Sequence, residues 1–224
     1  MAPAPSVGSA PGRQREVVAP ALLWSGPSQV LRTRDLGRRY SRPAGEARRL
    51  AVSGVLRRVA HGYWLVPPVD RVQDPHWRPE VEALALALAV ADYGADAVAL
   101  MGASAARALG ALPRAVAVGV VAVPRQRREL TTPYGTIRFV TRDVGRLQLT
   151  RARTELADGY TTDVEQTMLD LEHRRELGGV EPADVDEAVA ALSARADWDV
   201  LRELAAAQRL GATARRVMDA HAPS

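Results

Sequence analysis

Residues 41–66 read SRPAGEARRLAVSGVLRRVAHGYWLV, and this stretch decides the fold of the first third of the chain. Pro43 suits a first helical turn, where its missing N–H has no partner to lose. Ala47, Leu50, Ala51 and Gly54 recur at i, i+3, i+4 and i+7, which predicts one buried face of a helix over Ala44–Ser53. Gly54 is a suitable residue just past its end. Arg42, Glu46, Arg49 and Ser53 fall on another face, with Arg48 at its edge. The period then changes. Val55–Val59 and Tyr63–Val66 predict two short strands around a tight turn, where Gly62 can take a positive φ and Pro67 ends the second strand.

Working outward, Thr33-Arg34-Asp35-Leu36 predicts a helix start, with Thr33 as N-cap and Asp35 in the first turn, running to about Tyr40. Glu16–Trp24 is apolar enough for an earlier helix, short or late-starting because of Pro20. Three helices and a hairpin, in that order, predict a winged helix-turn-helix, whose second helix of the pair enters the major groove.

Charge points the same way. All 30 basic residues are arginine, the better bidentate binder of phosphate and guanine. From Arg13 to Arg78, 13 arginines face five acids, a net +8, whereas the whole chain carries only +4. The basic first third therefore suggests double-stranded DNA as a partner. The candidate DNA-binding residues are Arg42, Arg48, Arg49 and Ser53 on the helix, with Arg57, Arg58 and His61 at the hairpin. The competing explanation is that an arginine-rich composition puts arginine on every exposed face; the order of elements and the charge asymmetry together favour DNA.

Residues 1–12, rich in Ala, Pro, Ser and Gly, predict a disordered tail without a signal peptide. The DNA-binding unit occupies 13–75. Pro67-Pro68 and the run Asp74-Pro75 to Pro79 set the boundary, and 76–224 forms a second domain expected to fold independently. There, helices are predicted at Val81–Tyr93 and Ser104–Leu109. Strands follow at Ala115–Val123, Thr136–Thr141 and Gln148–Glu155, with Thr132-Pro133-Tyr134-Gly135 as a type I turn at a hairpin tip. Four helices close the chain: Asp163–Leu177, Pro182–Arg195, Trp198–Leu210 and Thr213–His221. The expected class is α+β: an N-terminal winged helix-turn-helix followed by a mixed α/β C-terminal domain ending in several helices.

Absent residues exclude several chemistries. Without cysteine there is no disulfide scaffold, thiolate zinc site, iron–sulfur cluster or cysteine nucleophile. No apolar run approaches the ~18 residues of a membrane helix, so a cytoplasmic protein with no membrane partner is expected. His61, His76, His173 and His221 lack ligand spacing. Asp92 and Asp96 flank the Gly94 break, Asp163 reads as a helix cap and Asp170 lies mid-helix at a spacing of seven, so none reads as a paired carboxylate on a strand. No metal, cofactor or catalytic set is predicted, and the chain is not expected to be an enzyme. The region around Arg114, Arg125, Arg127 and Arg128 is unusually basic.

Thr33-Arg34-Asp35-Leu36, then Arg49 to Val59, then His61-Gly62-Tyr63 resemble the N-terminal winged helix of AbiEi-type antitoxins. Met101-Gly102-Ala103-Ser104-Ala105-Ala106 with Leu109-Gly110 is similar to a Ser-Ala-Ala motif that opens the second domain of that family. Asp163 to Leu171 resembles its later helix. The similarity spans about residues 30–180, and the order of the motifs carries it. The resemblance implies the antitoxin of a type IV toxin–antitoxin pair. Its first domain would bind inverted repeats in its own promoter and repress it. Its second domain would counteract a nucleotidyltransferase toxin, directly or functionally. The alternative is a winged-helix transcription regulator or interaction adaptor with no cognate toxin.

Overall fold

The structure is a computed structural model describing residues 26–223; the expected tail 1–12 and helix Glu16–Trp24 lie outside the described residues. The chain begins with β1 (Val30–Arg32), α1 (Thr33–Leu36), α2 (Pro43–Val52), β2 (Arg57–Ala60) and β3 (Tyr63–Leu65). Both β1 and β2 pair antiparallel with β3, Val30 opposite Leu65 and Arg58 opposite Trp64. The sheet order is thus β1-β3-β2, and both helices lie in the connection between its two outer strands. Leu36, Ala47, Leu50, Val55, Leu56, Trp64 and Val66 form the core of this unit.

Local chemistry explains these elements. Pro43 opens α2 as expected, and its end is a Schellman motif: Val55 N–H donates to the Leu50 carbonyl at 3.0 Å and Gly54 N–H to Ala51 at 3.1 Å. Gly54 sits at φ +77°, the left-handed region this motif requires. Ala47 and Leu50 are fully buried and Ala51 half-buried, whereas Gly54, beyond the helix end, is exposed, so the face read from the sequence is buried within the helix. The start of α1 differs from expectation. Arg32, not Thr33, is the flanking residue, and its N–H and Nε donate to the Asp35 carboxylate at 3.2 and 2.7 Å. Thr33 instead accepts from Trp64 Nε1 at 2.9 Å, tying the helix to β3. The hairpin loop is His61-Gly62, with Gly62 at φ +79° and a register shift between Arg58 and Ala60.

The rest comprises α3 (Val81–Tyr93), β4 (Ala99–Leu100), α4 (Gly102–Ala108), β5 (Val118–Val123), β6 (Leu130–Thr132), β7 (Gly135–Thr141), β8 (Leu149–Arg153), β9 (Asp158–Thr162), α5 (Val164–His173), α6 (Pro182–Ser193), α7 (Trp198–Ala207) and α8 (Gly211–His221). The fold is thus mixed α+β. The second sheet runs β6-β7-β5-β4-β9-β8. The Pro133-Tyr134 turn does sit at a hairpin tip, but its strands are β6 and β7; β5 lies parallel to β7, with Val121 opposite Phe139. Sequence periodicity marks a strand without naming its neighbour. β5 is buried on both faces, which accounts for its unbroken apolar run.

α3 is apolar on every side because it is covered on every side: Val81 through Val90 are all buried. Its core includes Val121, Val123, Ile137 and Phe139 of the large sheet, and also Val30, Val59 and Leu65 of the small one. The two parts of the chain therefore share one apolar core across the expected boundary at residue 75. Polar groups reinforce the junction. Ser28 Oγ donates to the Ala87 carbonyl at 2.8 Å and Gln29 N–H to Leu156 at 2.7 Å. Near the end of α3, Asp92 accepts from Tyr63 Oη at 2.9 Å and from Arg32 at 3.5 Å, and pairs with Arg127. Arg127 in turn lies over the rings of Phe139 and Tyr63 at 4.1 and 5.2 Å.

Helices α4 to α8 form a separate apolar cluster around Met168, Leu169, Leu192 and Leu201. Asp163 caps α5, accepting from Gln166 N–H at 2.9 Å. Pro182 begins α6 as the sequence predicts. Among the described residues no helix is long and apolar enough to cross a membrane.

Candidate nucleic-acid interface

Burial of Ala47 and Leu50 turns the opposite side of α2 to solvent. Arg42, Arg48, Arg49 and Ser53 are all exposed, as are Arg58 on β2 and His61 at the hairpin loop. Among the described residues, Arg42, Arg48 and Arg58 carry no ion pair, so their guanidinium donors are available to phosphate or base edges. Arg49 is partly committed: it pairs with Glu46 at 2.6 Å, and this guanidinium holds the Glu46 carboxyl below the usual carboxylate range. An i, i+3 pair on an open surface contributes little to stability and is readily exchanged for a phosphate. Ser53 Oγ donates back to the Leu50 carbonyl at 3.0 Å, leaving its oxygen as an acceptor.

Arg57 is placed differently. Successive residues of β2 face opposite ways, so Arg57 points inward when Arg58 points out. Its guanidinium donates to the carbonyls of Trp77, at 2.6 Å, and Asp74, and lies 5.2 Å from the Trp77 ring centre. It fastens the Pro-rich connection 67–80 to the hairpin. Arg78 extends this clasp, donating to the Pro133 carbonyl and stacking over Tyr134 at the tip of the β6–β7 hairpin.

Four residues that motif reasoning passed over share the exposed surface of this unit. Arg34, Arg38 and Arg39, on α1 and in the turn after it, are exposed and make no ion pair among the described residues. Arg34 stands in the motif that marks the helix start but without a role of its own, and Arg38 and Arg39 enter only through the charge count. Val52 is 91% exposed, one turn beyond Arg48 on α2. An apolar side chain in that position fits a thymine methyl group in the major groove.

The other basic residues divide. Arg127 is held by Asp92, and Arg114 pairs with Asp184 at 2.9 Å, while Arg125 and Arg128 are exposed. Of the four aspartates considered above, Asp163 is an N-cap, Asp92 is an inter-unit acceptor, and Asp170 faces Arg142 at 3.3 Å. Among the described residues no group of three or more His, Asp or Glu could hold a metal ion.

No protein-family model and no curated protein matches the chain. The fold itself has a solved likeness. The chain is similar to the crystal structure of the RV2827C protein from Mycobacterium tuberculosis, with a TM-score of 0.55 and 19% identity, covering 91% of this chain and 80% of that one. At that identity the likeness speaks for the fold alone.

Proposed function

We propose that residues 26–66 are a winged-helix unit that binds duplex DNA through α2 and the β2–β3 hairpin, and that the protein is a transcriptional repressor. The order β1-α1-α2-β2-β3, with β3 between β1 and β2 in the sheet, carries the reading. In this reading α2 is the recognition helix and the His61-Gly62 loop the wing. Exposed, ion-pair-free Arg42, Arg48 and Arg58 support it, because a DNA surface needs donors not already spent on carboxylates. Arg49, Val52 and Ser53 supply the groups for base-edge recognition.

The wing is short, so its role in this reading is confined to phosphate contacts by Arg58 and His61. Arg34, Arg38 and Arg39 add phosphate contacts from the first helix of the pair. The resemblance to AbiEi-type antitoxins extends the proposal: repression of the protein's own promoter through inverted repeats, and neutralisation of a nucleotidyltransferase toxin by the second part of the chain. This role requires no catalysis by the protein itself.

The test is a mobility-shift assay of the full chain on its upstream DNA, run beside a growth assay with the neighbouring gene induced. Retarded promoter DNA and rescued growth are expected. A chain that leaves promoter DNA unshifted overturns the repressor reading. A chain that shifts DNA but rescues no growth leaves it a regulator and overturns the antitoxin role.

A further inference from the structure

A second basic feature lies in the C-terminal part. The end of β7, the end of α5 and the junction of α7 with α8 border an open cleft of about 660 Å³, within the range of small-molecule sites. Its basic residues are Arg142, Arg146, His173, Arg174 and Arg209. Among the described residues Asp143 is the only carboxylate lining it, and it is paired with Arg146 at 3.1 Å. Behind Arg142 stands Asp170, 3.3 Å away. Four arginines against these two acids leave a net +2 with His173 neutral. Arg174 and Arg209 are exposed and make no ion pair among the described residues.

The floor is rigid. Gln208 Oε1 accepts from Arg142 at 3.0 Å and from Gln166 at 3.2 Å, while Gln208 Nε2 donates to Gln166 at 2.5 Å. Gln166 also donates to Asp170 at 3.2 Å. This network fixes the Arg142 guanidinium at the cleft. Asp170 is almost wholly buried, and its second oxygen has no hydrogen-bond partner. Such a group is costly to keep unless the charge across from it is wanted.

Arg209 adds an independent sign. α7 ends in a Schellman motif, with Leu210 N–H donating to Ala205 at 2.7 Å and Arg209 N–H to Ala206 at 3.3 Å. That motif puts Arg209 at φ +59°, a position glycine ordinarily takes, and it is the only non-glycine at positive φ among the described residues. A long cationic side chain held in an unfavourable backbone conformation beside a basic cleft indicates that the side chain has a use there. Leu147, Ala207 and Leu210 give the cleft aliphatic walls. Leu210 also precedes α8, whose first turn has no side-chain cap and adds partial positive charge.

We propose that this cleft binds a small organic phosphate of mononucleotide size. The net +2 matches a phosphate monoester, which carries a charge of about −1.5 to −2 at neutral pH. Arginine forks suit phosphate oxygens, and the aliphatic walls suit the organic portion. The cleft is bordered by only three short chain segments, a span that suits a ligand of mononucleotide size.

The test is calorimetric titration of the full chain with inorganic pyrophosphate, AMP, ATP, adenosine and a duplex oligonucleotide of unrelated sequence. Pyrophosphate, AMP and ATP are expected to bind, with adenosine at least about tenfold weaker than AMP. Arg174→Ala and Arg209→Gly should each weaken AMP and ATP by about tenfold. Arg209→Gly should at the same time raise the melting temperature, because glycine suits that φ, so its loss of affinity cannot come from unfolding. Arg153→Ala, at an exposed arginine elsewhere, should leave the affinities unchanged. Absence of binding by pyrophosphate and ATP at millimolar concentration overturns the proposal. So do equal affinities in Arg209→Gly and the natural chain, or adenosine binding as well as AMP. Oligonucleotide binding that these variants reduce, without nucleotide binding, also overturns it and makes the cleft a nucleic-acid surface.

Discussion

Replacing Asp92 by alanine should loosen the whole molecule, because this carboxylate ties the first unit to the rest of the chain alongside their shared apolar core. Its side chain is only 12% exposed, and it receives Tyr63 Oη at 2.9 and 3.1 Å, Arg32 at 3.5 Å and the guanidinium of Arg127. Without it Tyr63 loses its acceptor, and Arg127, 17% exposed, keeps only two aromatic faces. Arg32 is less affected, since Asp35 still holds it at 2.7 Å. Removing one partner of a buried ion pair costs about 3–5 kcal/mol. Retention of the Arg32–Asp35 pair and the partial exposure of Arg127 bring the expected loss to about 2–4 kcal/mol. At roughly 2–4 °C per kcal/mol for a chain of this size, the melting temperature should fall by about 4–16 °C. Asp92→Asn keeps an acceptor for Tyr63 and should lose less. The assay is urea unfolding of the full chain, with Arg127→Met and the double variant completing a thermodynamic cycle. A coupling energy of about 1–3 kcal/mol is expected. A single variant within about 0.5 kcal/mol of the natural chain would refute the reasoning, since that is the range of an ordinary surface change.

Leu50→Ala should cost about 3–5 kcal/mol, in the upper part of the usual range, because the bonds from Val55 and Leu56 N–H to its carbonyl stop the fully buried site from collapsing; urea unfolding by circular dichroism checks it. Arg57→Ala should lower stability by about 1–3 kcal/mol through loss of two bonds to the 67–80 connection, yet weaken DNA less than Arg58→Ala does; paired melting and anisotropy measurements separate the two effects. Burial pushes the Asp170 carboxyl up from 3.8 to about 6, so between those values the folded chain holds a proton that the unfolded chain has released. Stability from this group is therefore complete below pH 3.8 and lost as pH rises through 6, by roughly 3 kcal/mol in all. Asp170→Asn should remove that slope and gain on the natural chain between pH 4 and pH 7 in urea titrations.

Much of this fold was legible because helices announce their own ends. Pro43 and Gly54 bracket α2, Pro182 opens α6, and Asp163 caps α5, each through local chemistry that needs no distant partner. The all-round apolar character of Val81–Val90 likewise marks a central helix. Strand partners were not legible. β1, only three residues long, precedes a helix and reads as its lead-in, yet it pairs with β3 across thirty residues. β9 contains Asp158-Gly159, which resembles a turn, and is a strand because β4 and β8 flank it. The site divides in the same way. The outward face of α2 follows from helical period. The inward turn of Arg57 depends on where the connection 67–80 passes, and the role of Asp92 depends on Tyr63 and Arg127 meeting it from other elements.

The central claim, that the first unit binds DNA through charged contacts from α1, α2 and the hairpin, is tested most directly by the salt dependence of binding. Fluorescence anisotropy of the full chain on its upstream DNA, from about 50 to 200 mM salt, gives the slope of log K against log salt. Phosphate contacts from Arg34, Arg38, Arg39, Arg42 and Arg58 predict a slope of about −4 to −5. Arg58→Ala should reduce it by about 1 on every sequence, whereas Arg49→Ala should cost about 1–3 kcal/mol on the promoter and little on random DNA. A slope near zero, or equal losses for both variants on promoter and random DNA, would contradict the account.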